Sequence, residues 1–294
     1  METFPLPVNL VESAARNSDP ALGQWVAELP RIVPELATRW SLQLGPPFQP
    51  GGQGSWVAPV RDQADRDLVL KVGWRHPEAL HEVEGLTWWA GEGTVLVHAA
   101  QAYEYTSALL LERCLPGTAL NLVAAEPEQD VVVTRLLRRL WPPPPAGHPF
   151  RPLQQMCDQW ADEFDIKLGD TPASIDAGLA AAGMELFRSL PGSASEAVLL
   201  CTDLHAENIL AATREPWLVI DPKPYVGDPA YDPLQHMLNC PDRLAADPLA
   251  FVRRMAGLLD LDSHRLALWL FARCVQECID QPWLRDVAAR IAPA

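Results

Sequence analysis

A short β-patterned island sits inside a stretch of chain that is otherwise helical in pattern, and no other feature narrows the choice of fold as far. It runs Cys201-Thr202-Asp203-Leu204-His205-Ala206-Glu207-Asn208-Ile209-Leu210-Ala211-Ala212, turns at Thr213 to Pro216, and resumes as Trp217-Leu218-Val219-Ile220-Asp221. Paired as a hairpin around that turn, Ala212 lies opposite Trp217, Ile209 opposite Ile220 and Asn208 opposite Asp221. Opposed residues have Cα atoms about 5 Å apart. An amide oxygen and a carboxylate so placed can coordinate one hard divalent ion, and magnesium completes its shell with water and phosphate oxygens. Asp203 falls on the loop just ahead of the hairpin.

The chain before the island divides by pattern. From Pro20 to Trp40, apolar residues at Leu22, Trp25, Val26, Leu29, Ile32, Val33, Leu36 and Trp40 follow helical spacing, with Pro30 and Pro34 expected to break or kink the helix. A glycine loop, Gly51-Gly52-Gln53-Gly54, precedes a strand at Trp56 to Val60; a polar turn, Asp62 to Asp67, leads to a second strand, Leu68 to Val72, with Lys71 inside it. A helix is expected over Glu78 to Ala90 after Pro77, then strands at Val95 to Val97 and Ala108 to Leu111, then a turn from Glu112 to Gly117. Beyond Thr118 the periodicity is helical: Val131 to Trp141, Leu153 to Phe164, Ile175 to Leu190, Pro248 to Leu259 and His264 to Ile279. A small mixed α+β unit thus precedes a larger helical one, and Trp141 to Pro145 reads as a stiff loop within the latter.

The 294 residues allow two units of about 100 to 200 residues each. A formal charge of −15, from 23 Lys and Arg against 38 Asp and Glu, repels nucleic acid and anionic membrane surfaces. The same field attracts a cationic small molecule, although acidity also serves solubility alone. The six cysteines include no CxxC, which argues against a zinc site. Met1 to Pro7 lacks the basic flank and apolar core of a secretory signal, and no run approaches the ~18 apolar residues of a membrane span. These features lead us to expect a cytoplasmic protein with reduced thiols.

Asp-x-x-x-x-Asn, a hairpin and a second Asp are what phosphoryl transfer requires: a carboxylate for the acceptor hydroxyl and two oxygen ligands for the metal. An isolated DxxxxN is more often a pair of turn caps. Three other features add weight. Lys71, in mid-strand, can reach the α and β phosphates. A helical glutamate could hold that lysine; Glu82 shares the apolar face of Ala79, Leu86 and Trp89, whereas Glu84 lies with Leu80, Thr87 and Trp88, so Glu82 is preferred. The glycine loop can lie over phosphates through its backbone N–H groups. A rival site for hydrolysis, Asp203 and His205 with Asp221 around a metal, leaves Lys71, Glu82 and the glycine loop unexplained.

These residues resemble the aminoglycoside phosphotransferase family, which shares the bilobal fold of protein kinases. The likeness runs from Gly51 to Asp232. Ile220-Asp221-Pro222-Lys223-Pro224 followed by Gly227-Asp228-Pro229-Ala230-Tyr231-Asp232 is particular to that family, and Arg214 to Pro222 is similar to its branch of streptomycin 6-phosphotransferases and hydroxyurea kinases. The resemblance implies an α+β, protein-kinase-like fold with a small N-terminal lobe built on an antiparallel sheet and a larger, mainly helical C-terminal lobe. The lobes are expected at residues 1–113 and 114–294, with a hinge near 112–118 whose backbone, at Glu112 and Cys114, meets adenine. It makes ATP and Mg2+ the cofactors: Lys71, Glu82, Gly51 and Gly52 serve the nucleotide, Asn208 and Asp221 hold magnesium, and Asp203 is the catalytic carboxylate. The implied acceptor is a small cationic molecule, first an aminoglycoside of streptomycin type; hydroxyurea or a metabolite is the alternative.

One departure stands out. The family usually writes His-Gly-Asp where this chain has Cys201-Thr202-Asp203, although His205 keeps its place. A catalytically silent kinase-like binding module is therefore a second reading, opposed by the intact polar set. Asp228 and Asp232 read as braces for the active loop, and Cys201 as a packed core residue. Asp162, Glu163, Glu277 and Asp280 are candidates for meeting a cation, each also readable as a solvated face, and Trp160 and Trp269 as core or as the floor of a sugar pocket.

Overall fold

The computed structural model describes residues 4–17, 20–171 and 174–293; Met1, Glu2 and Thr3, at the head of the segment read as lacking a signal, lie outside them. The chain divides into two compact units, Met1–Gly117 with Ala211–Leu218, and Thr118–Leu210 with Val219–Ala294.

The first unit holds α1 (Val8–Arg16), α2 (Pro20–Arg39), β1 (Gln43–Leu44), β2 (Ser55–Arg61), β3 (Asp67–Trp74), α3 (Glu82–Trp89), β4 (Val97–Ala102) and β5 (Thr106–Glu112). The strands form one antiparallel sheet in the order β1, β2, β3, β5, β4. Alternation along β3 turns Leu68, Leu70 and Val72 into a core with Leu22, Trp25, Leu29, Val33 and Leu36 of α2. Burying each such side chain contributes roughly 2 kcal/mol. Lys71 alternates to the opposite face, paired with Val57 and Leu109 on the neighbouring strands.

Three local expectations need correction. α2 is not broken at Pro30 or Pro34: it continues from Pro20 to Arg39, and both prolines are exposed, so their rings leave the packing of Leu29 and Val33 intact. The helix expected from Glu78 is split: a 3-10 turn covers Pro77–Ala79, His81 takes a left-handed φ of 69°, and α3 begins only at Glu82. Val95 and Leu96 fall before the strand: the Leu96 carbonyl accepts from the Glu112 amide at 2.8 Å, but its own amide goes to the Glu112 carboxylate (3.1 Å), and regular pairing begins at Val97, with a bulge before Ala99.

The second unit contains α4 (Glu126–Leu140), β6 (Arg151–Pro152), α5 (Leu153–Asp170), α6 (Ala177–Ser189), β7 (Val198–Leu200), the strands β8 (Ile209–Ala211) and β9 (Trp217–Val219), which lend their outer residues to the first unit, and β10 (Tyr225–Gly227). There follow α7 (Leu234–Leu238), α8 (Pro241–Ala246), α9 (Pro248–Leu259), α10 (Ser263–Glu277) and α11 (Leu284–Ile291). β10 lies between β6, to which it is parallel, and antiparallel β7. α6 and α10 pack so closely at Gly183 that a Cβ there would stand 2.5 Å from Cβ of Val275. The buried Asp130 of α4 ties four helices together, accepting from His236 (2.9 Å), both terminal nitrogens of Arg243 (2.9 and 2.7 Å) and Nε of Arg254 (2.5 Å). Burial pushes its carboxyl pKa up, but these donors outweigh burial and hold it well below the usual carboxylate range.

The β8–β9 hairpin forms, with its register one residue from expectation. The Ile220 amide donates to the Asn208 carbonyl at 2.9 Å, so Asn208 stands opposite Ile220, not Asp221. The turn is longer than the four residues anticipated, because Thr213 and Arg214 bond elsewhere in the first unit and Ala212 leaves the ladder. Turns, not the ladder, therefore aim the two oxygen donors: Asn208 closes a 3-10 turn, Ala206–Asn208, and Asp221 takes a left-handed φ of 53°.

Candidate active site

In the first unit, Nζ of Lys71 lies 2.6 Å from Oε1 of Glu82, with the two residues only 8% and 6% exposed. Of the two glutamates weighed, Glu82 makes this pair; Glu84 is exposed and lies 4.0 Å from His81. Taking two charges out of water is costly unless they pair, and a pair so buried leaves a cation held in one place on the sheet. The glycine loop is fixed from the N-terminal side. Gly51 has φ of 76°, a Cβ there would meet Cβ of Pro7 at 2.5 Å, and its carbonyl accepts from Nδ2 of Asn9 at 2.8 Å. Gly51 is thus required by packing, whereas Gly52 and Gln53 are exposed.

The segment from Glu112 to Gly117 is stitched to the hairpin tip. Arg214 spans the Glu112 carboxylate, Nε to Oε1 at 3.0 Å and Nη2 to Oε2 at 2.8 Å, and donates to the carbonyls of Gly91 (2.6 Å) and Thr94 (2.7 Å). Thr213 Oγ1 donates to the Leu115 carbonyl at 3.0 Å, and the Gly117 amide to the Ala211 carbonyl at 2.9 Å. The Glu112 side chain is therefore spent on structure. Cys114 is buried, and burial pushes its thiol up to about 12.

In the second unit, Oδ2 of Asp203 accepts from Nζ of Lys223 at 2.6 Å. The two short segments that carry them are zipped together. The amides of Asp203 (2.7 Å) and Lys223 (3.0 Å) both donate to the Cys201 carbonyl, and Oγ1 of Thr202 donates to the Lys223 carbonyl at 2.6 Å. Asn208 Nδ2 donates to the Asp203 carbonyl at 3.0 Å.

Behind this loop stands Asp232, fully buried. Its carboxylate accepts from the amides of Cys201 (3.1 Å) and Thr202 (2.7 Å) and from Nε1 of Trp141 (2.9 Å). Burial raises its pKa to about 6, against the lowering effect of those bonds. Asp228 accepts from the Ala230 amide (3.0 Å), Arg265 (2.6 Å) and Nε1 of Trp269 (2.5 Å). Both acids brace the polypeptide, as the turn reading expects. Cys201 is wholly buried, and burial holds its thiol well above the usual range, so it is a core residue.

Asn208 and Asp221 carry the oxygen types that suit a hard cation. The amide nitrogen of Asn208 is committed to the Asp203 carbonyl, which turns its Oδ1 into the group able to accept a metal, and Asp221 carries a carboxylate. Among the described residues no cluster of three or more His, Cys, Asp or Glu side chains could hold a metal ion, so the rival trio of Asp203, His205 and Asp221 does not assemble. Burial lowers the pKa of His205, and its Nδ1 has no hydrogen-bond partner among the described residues. The acidic residues considered for a cationic acceptor are engaged: Asp162 by Arg188 (3.0 Å), Glu163 by Gln159 (2.9 Å), Glu277 by Arg273 (2.6 Å) and Asp280 by Lys167. Trp269 is core, edge-on to Phe187 and Tyr231, and Trp160 lies against the Arg273 guanidinium.

The fold is protein-kinase-like. A choline/ethanolamine kinase family protein from Mesorhizobium loti superposes with a TM-score of 0.60 at 15% identity, covering 92% of this chain and 93% of its own. Residues 39–287 match the family described as aminoglycoside/hydroxyurea antibiotic resistance kinase, and the chain belongs to it. Its relatives include the streptomycin 6-kinase of Streptomyces griseus, 32% identical, over 98% of this chain and 94% of the relative. The hydroxyurea phosphotransferase of Kitasatospora aureofaciens is also 32% identical, over 93% and 79%. The protein is thus a phosphotransferase with a hydroxyl group as acceptor, and family and fold imply a nucleotide and a small-molecule substrate. Among the described residues no helix is long and apolar enough to cross a membrane.

Sequence reasoning passed over Lys223 and Arg214. Lys223 carries a signal in retrospect, a lone cation between two prolines just past Asp221. Arg214 carries none, since its partners Gly91, Thr94 and Glu112 are distant in the chain.

Proposed function

We propose that this kinase moves the γ-phosphoryl group of ATP, with Mg2+, to a hydroxyl of an aminoglycoside of streptomycin type. The observation that carries the reading is the buried pair of Lys71 and Glu82. A fold gains little from a buried ion pair, whereas a nucleotide needs a fixed cation for its phosphates. Residues 1–113 then serve the nucleotide, through Lys71, Glu82, Gly52 and the backbone around Glu112 and Cys114, and residues 114–294 serve the acceptor and the chemistry.

In the step itself a bond forms from the acceptor oxygen to the γ-phosphorus. The bond from that phosphorus to the bridging oxygen breaks, ADP leaves with the electron pair, and the hydroxyl proton passes to Asp203. Asp203 offers Oδ1, since Oδ2 is held by Lys223. Magnesium, held by Asn208 and Asp221, would neutralise charge on the phosphates. Streptomycin comes first as acceptor because the 32% identity to a streptomycin 6-kinase spans 98% of the chain, and a formal charge of −15 favours a cation. A cytoplasmic location goes with ATP as donor.

Incubation with ATP and, in parallel, streptomycin, hydroxyurea and plain sugars, read by mass spectrometry for an added phosphoryl group, tests class and substrate together. Streptomycin should be modified, and Asp203→Asn should lower turnover by about 10³-fold while nucleotide binding survives. A near-wild-type rate for that variant ends the proposal. The silent-module reading, prompted by Cys201-Thr202, requires instead that no acceptor be modified and that calorimetry detect no magnesium-dependent nucleotide binding.

A further inference from the structure

We infer that Lys223 is a positioning residue for phosphoryl transfer, the group that fixes the carboxylate of Asp203 toward the acceptor hydroxyl. The inference rests on the reading of Asp203 given above. Its ground is the way Lys223 is tethered. Pro222 and Pro224 flank it, both buried, and lock φ on either side. Its amide donates to the Cys201 carbonyl at 3.0 Å and its carbonyl accepts from Thr202 at 2.6 Å, so the main chain of Lys223 is bonded to the two residues just before Asp203. From that fixed base the ammonium reaches Oδ2 of Asp203 at 2.6 Å. Two rigid loops hold the charges at hydrogen-bond distance, with little freedom left in either backbone.

Fold stability alone does not account for this arrangement. The side chains of Lys223 and Asp203 are 31% and 18% exposed, so the pair is part-buried, and one such contact does not by itself explain a lysine held by two prolines and two main-chain bonds. Their effect is on geometry. A carboxylate bonded through one oxygen cannot turn freely about its terminal torsion, so the other oxygen keeps one direction. Among the described residues nothing donates to Oδ1 of Asp203, and that is the oxygen this arrangement reserves for the acceptor. Placing the reacting groups in register is worth about 100-fold for an error near 1 Å.

The same bonds explain how the chain departs from the His-Gly-Asp pattern. Where that pattern has glycine, this chain has Thr202, whose hydroxyl is one of the ties to Lys223. Thr202 and Lys223 work together, and the imidazole lost at Cys201 is offset by a lysine arriving from beyond the hairpin.

The test is steady-state kinetics of wild type, Lys223→Met, Lys223→Arg, Asp203→Asn and the double variant Asp203→Asn with Lys223→Met, each checked by thermal melting. Lys223→Met should lose about 100-fold in kcat, with the KM for ATP within about threefold of wild type and an unchanged melting temperature. Lys223→Arg should recover to within about tenfold of wild type, and the double variant should be no slower than Asp203→Asn alone. Wild-type kcat in Lys223→Met overturns the inference. So does a loss that Arg does not rescue, one that follows a fall in melting temperature, or one that adds fully to that of Asp203→Asn. A wild type that phosphorylates no acceptor overturns the functional reading itself, and is told apart because the defect precedes any substitution.

Discussion

The amide of Thr202 donates to Oδ1 of Asp232 across 2.7 Å while its own backbone sits at φ 49°, a left-handed conformation. A side chain with a Cβ is disfavoured there by about 1 to 2 kcal/mol, which is why glycine is the simpler choice. Thr202 tolerates it because the amide bond to Asp232 and the hydroxyl bond to Lys223 hold it from both sides.

Thr202→Ala keeps the strained Cβ and loses the hydroxyl bond, so it should destabilise by about 1 kcal/mol. Thr202→Gly loses the same bond but relieves the strain, and should lie within about 1 kcal/mol of wild type. Urea unfolding of both variants decides; an alanine variant more stable than the glycine one would contradict the account of the backbone.

Asp232 gives a pH signature. Burial raises its pKa from 3.8 to about 6. A carboxyl raised in this way binds its proton more tightly folded than unfolded, so its stabilising contribution is complete below about pH 4 and is lost as pH rises through about 6. Relative to Asp232→Asn, wild type should be less favoured at pH 7 than at pH 4 by about 2 kcal/mol, from denaturant unfolding at both values. A constant difference would mean that Asp232 titrates like a solvated acid.

Lys71→Met removes the 2.6 Å partner of a buried carboxylate. Breaking a buried pair costs about 3 kcal/mol, and on the functional reading the variant also weakens ATP binding by at least about tenfold. Equilibrium unfolding and calorimetric titration with ATP separate the two effects. Unaltered ATP affinity in a folded Lys71→Met protein would remove Lys71 from the nucleotide site.

Arg214→Ala strips the donors from Glu112 and from the carbonyls of Gly91 and Thr94. The expected loss is about 2 to 3 kcal/mol, read by thermal melting. Arg214→Lys should recover little, since one ammonium cannot span a carboxylate and two carbonyls. A melting temperature equal to wild type would show the network to be dispensable.

Much of the architecture could be read in the sequence because period and chemistry agreed. Leu68 to Val72 alternates as a strand should, and Glu82 lies on the inward face that its helical spacing indicates. Errors arose where packing and tertiary bonds overrode local rules: the core face of α2 keeps the helix going past the exposed Pro30 and Pro34, and the bonds of Thr213 and Arg214 lengthen a turn and shift a register by one. The candidate site was legible wherever residues close in sequence carry it, as from Asp203 to Asp221. Pairings between separated segments, Lys223 with Asp203 or Arg214 with Glu112, leave no periodic trace.

The first unit borrows Ala211–Leu218 from within the stretch of sequence that otherwise builds the second. Its guanidinium clasp at Glu112 therefore emerges from the ribosome long after the sheet it secures, and a gene fragment ending at Gly117 would encode a sheet bereft of that clasp. Maturation of the first unit is thus tied to synthesis of the second, and dissecting this enzyme by simple truncation should yield an incomplete piece.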